Sequence, residues 1–228
     1  MPFKGTMKRS WIEINLAVLE ENIATIRSSL MPGTELILVV KADAYGHGAV
    51  PVALRAWRDG VRWFAVAYLH EALEIRRALS GPDLLVMGVT EPDDVADLIR
   101  HRITPVVVTV EQGNALGDSA VSLGERLRAH VKIDTGMGRL GLPWQEAPGM
   151  YRQLWSHPGL DIQGVCSHFS AVEPGDDASA VRQVERFTEF ERQRRVFDDR
   201  EILRHLSSSR AMSYYADWDF DAVRPGMA

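Results

Sequence analysis

The apolar run ending at Val39-Val40 is followed by Lys41 and then by Ala42-Asp43-Ala44-Tyr45-Gly46-His47-Gly48, a glycine-punctuated turn. This pattern sets one amine at the mouth of a buried strand. Apolar walls strip hydration from an ammonium and favour the neutral amine, which attacks a carbonyl to form a Schiff base. Most lysines that follow a strand are solvated surface groups, so Lys41 takes its weight from four further segments.

In Val131-Lys132-Ile133-Asp134-Thr135-Gly136-Met137-Gly138-Arg139-Leu140-Gly141, strand alternation puts Lys132 and Asp134 on one face and Val131 and Ile133 on the other. The glycines let the chain turn tightly and bring Arg139 back over the strand ends, where it suits an oxyanion; a solvated loop arginine is the plain alternative. Gly164-Val165-Cys166-Ser167-His168-Phe169 is an apolar strand ending in histidine. A buried histidine there more often completes a hydrogen-bond network than does chemistry, and Cys166 with His168 lacks a third ligand, so no metal site is expected. His205-Leu206-Ser207-Ser208-Ser209 ends a strand with hydroxyls that serve as helix caps or, with free backbone donors, as a phosphate cradle. Val223-Arg224-Pro225-Gly226-Met227 closes the last strand with a cation and a glycine that permits close backbone approach.

One ligand accounts for the set: pyridoxal phosphate, an aldehyde held by Lys41 with its phosphate on Ser209 and the backbone of Gly226 and Met227. That leaves Arg224 for the pyridine nitrogen. An arginine cannot take up a proton, so the ring nitrogen stays mostly neutral and electron withdrawal into the ring is weak. Proton removal and return at Cα remain feasible while transamination is disfavoured, which points to racemisation.

These residues need elements that bring strand ends together. After Ser10 to Ile14, Asn15 caps a helix expected over Leu16 to Leu30. Strands are then expected at 36–40, 63–67, 84–88, 104–109, 127–133, 161–168, 202–206 and 220–223. Helices are expected between them at 48–59, 69–79, 91–101, 110–123, 144–157, 177–198 and 209–215. Eight strands alternating with helices predict an α/β fold, a parallel (β/α)8 TIM-type barrel, with the site at the carboxyl ends of the strands. An open doubly wound sheet would alternate similarly.

Composition narrows the function classes. The 228 residues are 46% hydrophobic and 25% charged, enough for one large core. Net charge is −5 with no basic stretch, which removes the footprint of a nucleic acid or an anionic membrane. One cysteine excludes an internal disulfide, and neither a signal peptide nor a membrane-length apolar run is present, so a cytoplasmic location is expected.

The five segments, spread over nearly the whole chain, resemble the N-terminal barrel of alanine racemase, a fold-type III pyridoxal phosphate enzyme. The resemblance implies that Lys41 is the Schiff-base lysine and the base on one face of Cα. It also implies that Tyr45 and Ser209, with Gly226 and Met227, contact the phosphate, that Arg224 meets the pyridine nitrogen with His168 in support, and that Arg139 reaches the phenolic oxygen. Lys132 aligns with a lysine often carbamylated in the family. Ser208 stands where the family usually has asparagine.

By the same resemblance the second acid/base is a tyrosine of a C-terminal β domain, donated by the other subunit of a homodimer. Tyr68, Tyr151, Tyr214 and Tyr215 sit in no matching context. The expectation is therefore a barrel over residues 16–228 that lacks that domain, with residues 1–15 as an orphaned strand segment that normally pairs with it. The reaction implied is interconversion of L-alanine and D-alanine for peptidoglycan precursors. A serine or broad-specificity racemase, a non-catalytic pyridoxal phosphate-holding barrel and an amino-acid decarboxylase are the alternatives.

Overall fold

The computed structural model describes residues 12–173 and 175–226. Helix α1 (Leu16–Ser29) opens on Asn15, whose side-chain oxygen accepts from the Ala17 and Val18 amides at 2.9 and 3.4 Å. The strands that follow are β1 (Glu35–Val39), β2 (Trp63–Val66), β3 (Asp83–Val86), β4 (Ile103–Val107), β5 (Leu127–Asp134), β6 (Leu160–Cys166), β7 (Leu203–Ser208) and β8 (Ala222–Arg224). Between them run α2 (Ala49–Arg58), α3 (Leu69–Ala78), α4 (Val95–Arg100), α5 (Val110–Ser122), α6 (Ala147–Trp155), α7 (Ala178–Arg194) and the single turn α8 (Ser209–Met212). Each strand pairs in parallel with the next, and β8 pairs back with β1, so the ring closes. A two-residue pairing, Leu142–Pro143, adds to β5 outside the ring. This is the parallel barrel expected from the alternation; the open sheet is ruled out by closure.

The seam between β8 and β1 is short, with Glu35 opposite Ala222 and Leu36 opposite Val223. By comparison β2 and β3 register over four residues, Trp63 with Asp83 through Val66 with Val86.

Strand alternation builds two apolar layers. Ile37, Val39, Ala65, Leu85, Val106 and Ala222 point into the barrel. Leu36, Leu38, Phe64, Val66, Leu84 and Val86 point outward and are covered by faces such as Val52, Ala53 and Ala56 of α2 and Ala72 and Ile75 of α3. On β5 the inward positions carry His130 and Lys132. Gly164 on β6 makes room for the first of these, since a Cβ there would lie 2.7 Å from the His130 ring.

Strand limits follow the sequence reading to within two residues, while several helices are shorter by three or four residues at one end, as where 177–198 ends at Arg194 and 209–215 at Met212; two strand departures are informative. Strand β7 continues through Ser208, because the buried Ser207 hydroxyl finds its acceptor in the Trp218 carbonyl at 3.0 Å. Strand β8 begins only at Ala222: Phe220 has φ of 53° and turns its ring edge-on to Phe187 at 5.1 Å. Of the Ser10 to Ile14 segment, residues 12–14 carry no strand and the rest lies outside the described residues. No helix is long and apolar enough to cross a membrane among the described residues.

The turn from β1 into α2 is unusual. Ala42, Asp43, Ala44 and Tyr45 all adopt the left-handed conformation, with φ between 50° and 55°. Each such residue with a Cβ costs roughly 1–2 kcal/mol. The turn is held by the Ala44 amide on the Val40 carbonyl at 2.9 Å, the Gly48 amide on the Asp43 carbonyl at 2.9 Å, and the Ala49 amide on Asp43 Oδ1 at 2.6 Å.

Candidate active site

A cavity of about 730 Å³ opens at the carboxyl ends of the strands. Lys41, Tyr45, Lys132 and Arg139 line it from the first half of the chain, and His168, Ser209, Arg224 and Gly226 from the second. The structure thus brings together every expected site residue it describes; Met227 lies outside the described residues.

Each position follows from its element. Lys41 leaves β1 as the strand gives way to the left-handed turn, and Tyr45 closes that turn. Lys132 is an inward residue of β5, 8% exposed. Two residues later Asp134 turns the chain, its Oδ1 accepting from the Gly136, Met137 and Gly138 amides at 3.0, 2.9 and 3.1 Å, and this loop carries Arg139 to the rim. His168 follows the end of β6. Ser209 begins α8, and its Oγ accepts from the Gly226 amide at 3.0 Å. A Cβ at Gly226 would stand 2.6 Å from Tyr45 Oη and 3.0 Å from Val39 Cβ, so glycine alone allows these three residues to meet.

Arg224 is buried to 7% exposure and has no carboxylate partner among the described residues. Its Nη1 donates to the His205 carbonyl at 2.8 Å and to His205 Nδ1 at 2.5 Å. Its Nη2 donates to the carbonyls of Ser167 at 2.6 Å and Leu206 at 3.1 Å, with His168 Nδ1 at 3.4 Å. The next link is His205 Nε2 with His130 Nδ1 at 2.8 Å. Burial, and then the neighbouring Arg224 charge, lower the pKa of His130 and of His168 to about 3 and hold His205 well below its ordinary value. Burial also lowers the Lys132 ammonium, with Arg224 and Arg139 adding to the effect and Cys166 opposing it.

Among the described residues, five cations line the cavity, Lys41, Lys132, Arg139, Arg210 and Arg224, and no aspartate or glutamate does. Arg210 is bound on the rim by Glu173 at 2.6 Å. The side chains of Lys41, Lys132 and Arg139 make no hydrogen bond or ion pair with any described residue. A cavity lined in this way fits a small anion-bearing molecule, and the chemistry of the donors fits pyridoxal phosphate: an amine for its aldehyde, hydroxyls and a glycine amide for its phosphate, and a fixed guanidinium for a ring acceptor.

Sequence reasoning missed His130 and His205. His130 shares the inward parity of Lys132, which was a usable signal, and Gly164 opposite it was another. His205 was placed at a strand end, whereas the strand runs three residues further and buries the ring. Tyr214 and Ser213 on the cavity wall had no signal beyond their position after α8.

The chain matches the family described as alanine racemase, N-terminal domain, over residues 14–228. It is 37% identical over 224 residues to the alanine racemase of Syntrophobacter fumaroxidans, covering 97% of this chain and 59% of that protein. It is 36% identical over 221 residues to that of Synechocystis, covering 96% and 59%. Among solved structures it superposes on alanine racemase of Clostridium difficile 630 with a TM-score of 0.92 at 30% identity, covering 98% of this chain and 59% of that one. It also superposes on alanine racemase of Bacillus anthracis with bound L-Ala-P, with a TM-score of 0.90 at 29% identity, covering all of this chain and 58% of that one. The chain therefore spans about three-fifths of the length of the relatives it matches.

Proposed function

Because the chain belongs to the alanine racemase N-terminal domain family, we propose that it is the cofactor-binding barrel of a pyridoxal phosphate-dependent racemase that interconverts L-alanine and D-alanine. The observation that carries this reading is that Lys41, just after the first strand, and Arg224, at the end of the last, line one cavity whose described walls hold five cations and no carboxylate. Bound there, pyridoxal phosphate supplies an aldehyde carbon for an amine and a conjugated ring that takes up the electron pair of a breaking Cα–H bond.

The chain's residues divide the remaining work. Ser209 Oγ, the Gly226 amide and the Tyr45 hydroxyl would hold the phosphate, joined, by the family resemblance, by the backbone of Met227. Arg224 presents to the ring nitrogen a cation that keeps its own proton, because five neutral acceptors fix its direction and none can take a proton at neutral pH. His168 supports it from the cavity side. Arg139 reaches toward the phenolic oxygen. Lys41 Nζ holds the cofactor, then takes or returns the proton on one face of Cα.

Lys132 is buried near Arg139 and Arg224, and burial and these charges disfavour its ammonium; conversion to a carbamate would make it an anion able to orient Arg139. The proton on the other face is assigned, by the family resemblance, to a tyrosine of a C-terminal β domain from the partner subunit of a homodimer. Cytoplasmic supply of D-alanine to peptidoglycan precursors is the role this chemistry suits.

The test uses the chain with added cofactor. Visible absorbance of the bound cofactor, abolished by Lys41→Ala, is expected, together with D-alanine formed from L-alanine in deuterated water once a C-terminal β domain is supplied in trans. Exchange of the α-hydrogen with full retention of configuration would reduce the chain to one-sided proton transfer, and no absorbance band would overturn the reading. Greater turnover of L-serine than of L-alanine would shift it to the serine or broad-specificity alternative.

A further inference from the structure

The left-handed turn that follows Lys41 is tied to the rest of the barrel by one side chain outside the cavity. Glu71 is the third residue of α3, and its two carboxylate oxygens serve two different loops. Oε1 accepts from the Ala42 amide at 2.6 Å; Oε2 accepts from the Ala67 amide at 2.8 Å and the Tyr68 amide at 3.0 Å. The Tyr68 contact is an ordinary helix cap. The Ala42 contact is not, because it crosses to the neighbouring strand end and meets the first left-handed residue of the turn.

The Ala42 N–H belongs to the peptide plane that joins Lys41 to Ala42. Fixing that N–H fixes the ψ angle of Lys41, and with it the direction in which the Lys41 side chain leaves the backbone. Four consecutive residues with positive φ persist only where their surroundings over-determine them. Asp43 ties the far end of the turn to α2, and Glu71 ties the near end to β2 and α3.

We propose that Glu71 is a positioning residue for Lys41: its carboxylate holds the strained turn at the one peptide that aims the amine into the cavity. The inference rests on the reading of Lys41 as the cofactor lysine. Glu71 touches neither cofactor nor substrate in this role.

The experiment compares the full chain with Glu71→Gln, which keeps size and removes one strong acceptor, and with Glu74→Gln, an exposed carboxylate on the same helix as control. Pyridoxal phosphate is added, samples are quenched with borohydride over time, and the secondary amine left on Lys41 is located by peptide mass. Thermal midpoints are measured alongside. Glu71→Gln is expected to slow the appearance of the Lys41 adduct roughly tenfold or more at temperatures where it is fully folded, as a misaimed reacting group does. Glu74→Gln is expected to match the wild type.

Adding Ala42→Gly to Glu71→Gln removes the left-handed penalty and is expected to restore at least half of the lost rate. In the wild type without cofactor, the Ala42 amide is expected to be protected from hydrogen exchange. No adduct on Lys41 in the wild type would defeat the functional reading itself. A labelled wild type with Glu71→Gln at the same rate, a slowed variant that Ala42→Gly leaves unrelieved, or an unprotected Ala42 amide would each overturn the role of Glu71 alone.

Discussion

Arg224 Nη1 lies 2.5 Å from His205 Nδ1, inside the barrel and away from solvent. A guanidinium has only protons to offer, so Nδ1 must accept and the proton of the neutral ring sits on Nε2. That proton is donated to His130 Nδ1, 2.8 Å away, which places the His130 proton on its own Nε2. A single cation thus orders two buried rings, and none of the three groups can gain a proton without breaking a link.

Acid stability should report this directly. The folded pKa values of His130 and His168 lie near 3, below the ordinary 6.5, so the unfolded chain binds protons that the folded chain refuses. Their contribution is present above pH 6.5 and is lost as pH falls toward 3, each group adding a slope of at most about 1.4 kcal/mol per pH unit. Urea unfolding at pH 7.5, 6 and 5 is expected to show a steadily falling midpoint, and His130→Asn should flatten that dependence. An unchanged slope in the variant would place the loss elsewhere.

Asp219 is 1% exposed, and its carboxylate oxygens have no hydrogen-bond partner within the described structure. Ser207 beside it, which holds its pKa down in part, directs its hydroxyl to the Trp218 carbonyl. Burial raises the Asp219 pKa from 3.8 to about 6, so folding favours the protonated acid. The cost of the charge is absent below pH 3.8 and complete above pH 6. Asp219→Asn is expected to stabilise the protein at pH 8 by on the order of 2 kcal/mol and to lose that advantage toward pH 4, as read from thermal or urea midpoints.

Gly226→Ala would push a methyl group to within 2.6 Å of Tyr45 Oη and 3.0 Å of Val39 Cβ. Cofactor affinity, measured by quenching of tryptophan fluorescence, is expected to fall about tenfold or more, equivalent to roughly 1.4 kcal/mol. Ser209→Ala removes only the oxygen that accepts from the Gly226 amide and is expected to cost less.

Lys132 is the cation with most to gain from modification, being buried beside two arginines. After equilibration with labelled bicarbonate, a carbon resonance of a lysine carbamate is expected in the wild type and absent in Lys132→Arg. A spectrum identical in both would leave Lys132 as a buried amine.

The order of elements and the convergence of strand ends were readable because parity and glycine punctuation are local properties of the chain. The count of strands at even spacing pointed to the barrel, and the pairing of the last strand with the first separates it from an open doubly wound sheet. What escaped were features set by partners distant in sequence. His205 looks like a strand terminus until Trp218 supplies an acceptor that keeps β7 extended through Ser207. The left-handed run at Ala42–Tyr45 has a propensity cost that argues against it at every residue, and only Glu71 and Asp43 explain it. Arg224 was legible as a cation at a strand end, but its five acceptors come from Ser167, His168, His205 and Leu206, which no spacing rule connects.

The narrow seam between β8 and β1 gives the cavity a second role. Lys41 and Arg224 stand on opposite sides of the join where the first strand meets the last over two residue pairs, so a molecule gripping both would act as a clasp across the point of closure. Occupancy of the cavity would then secure the first strand to the last, and its free energy would be added at that closure.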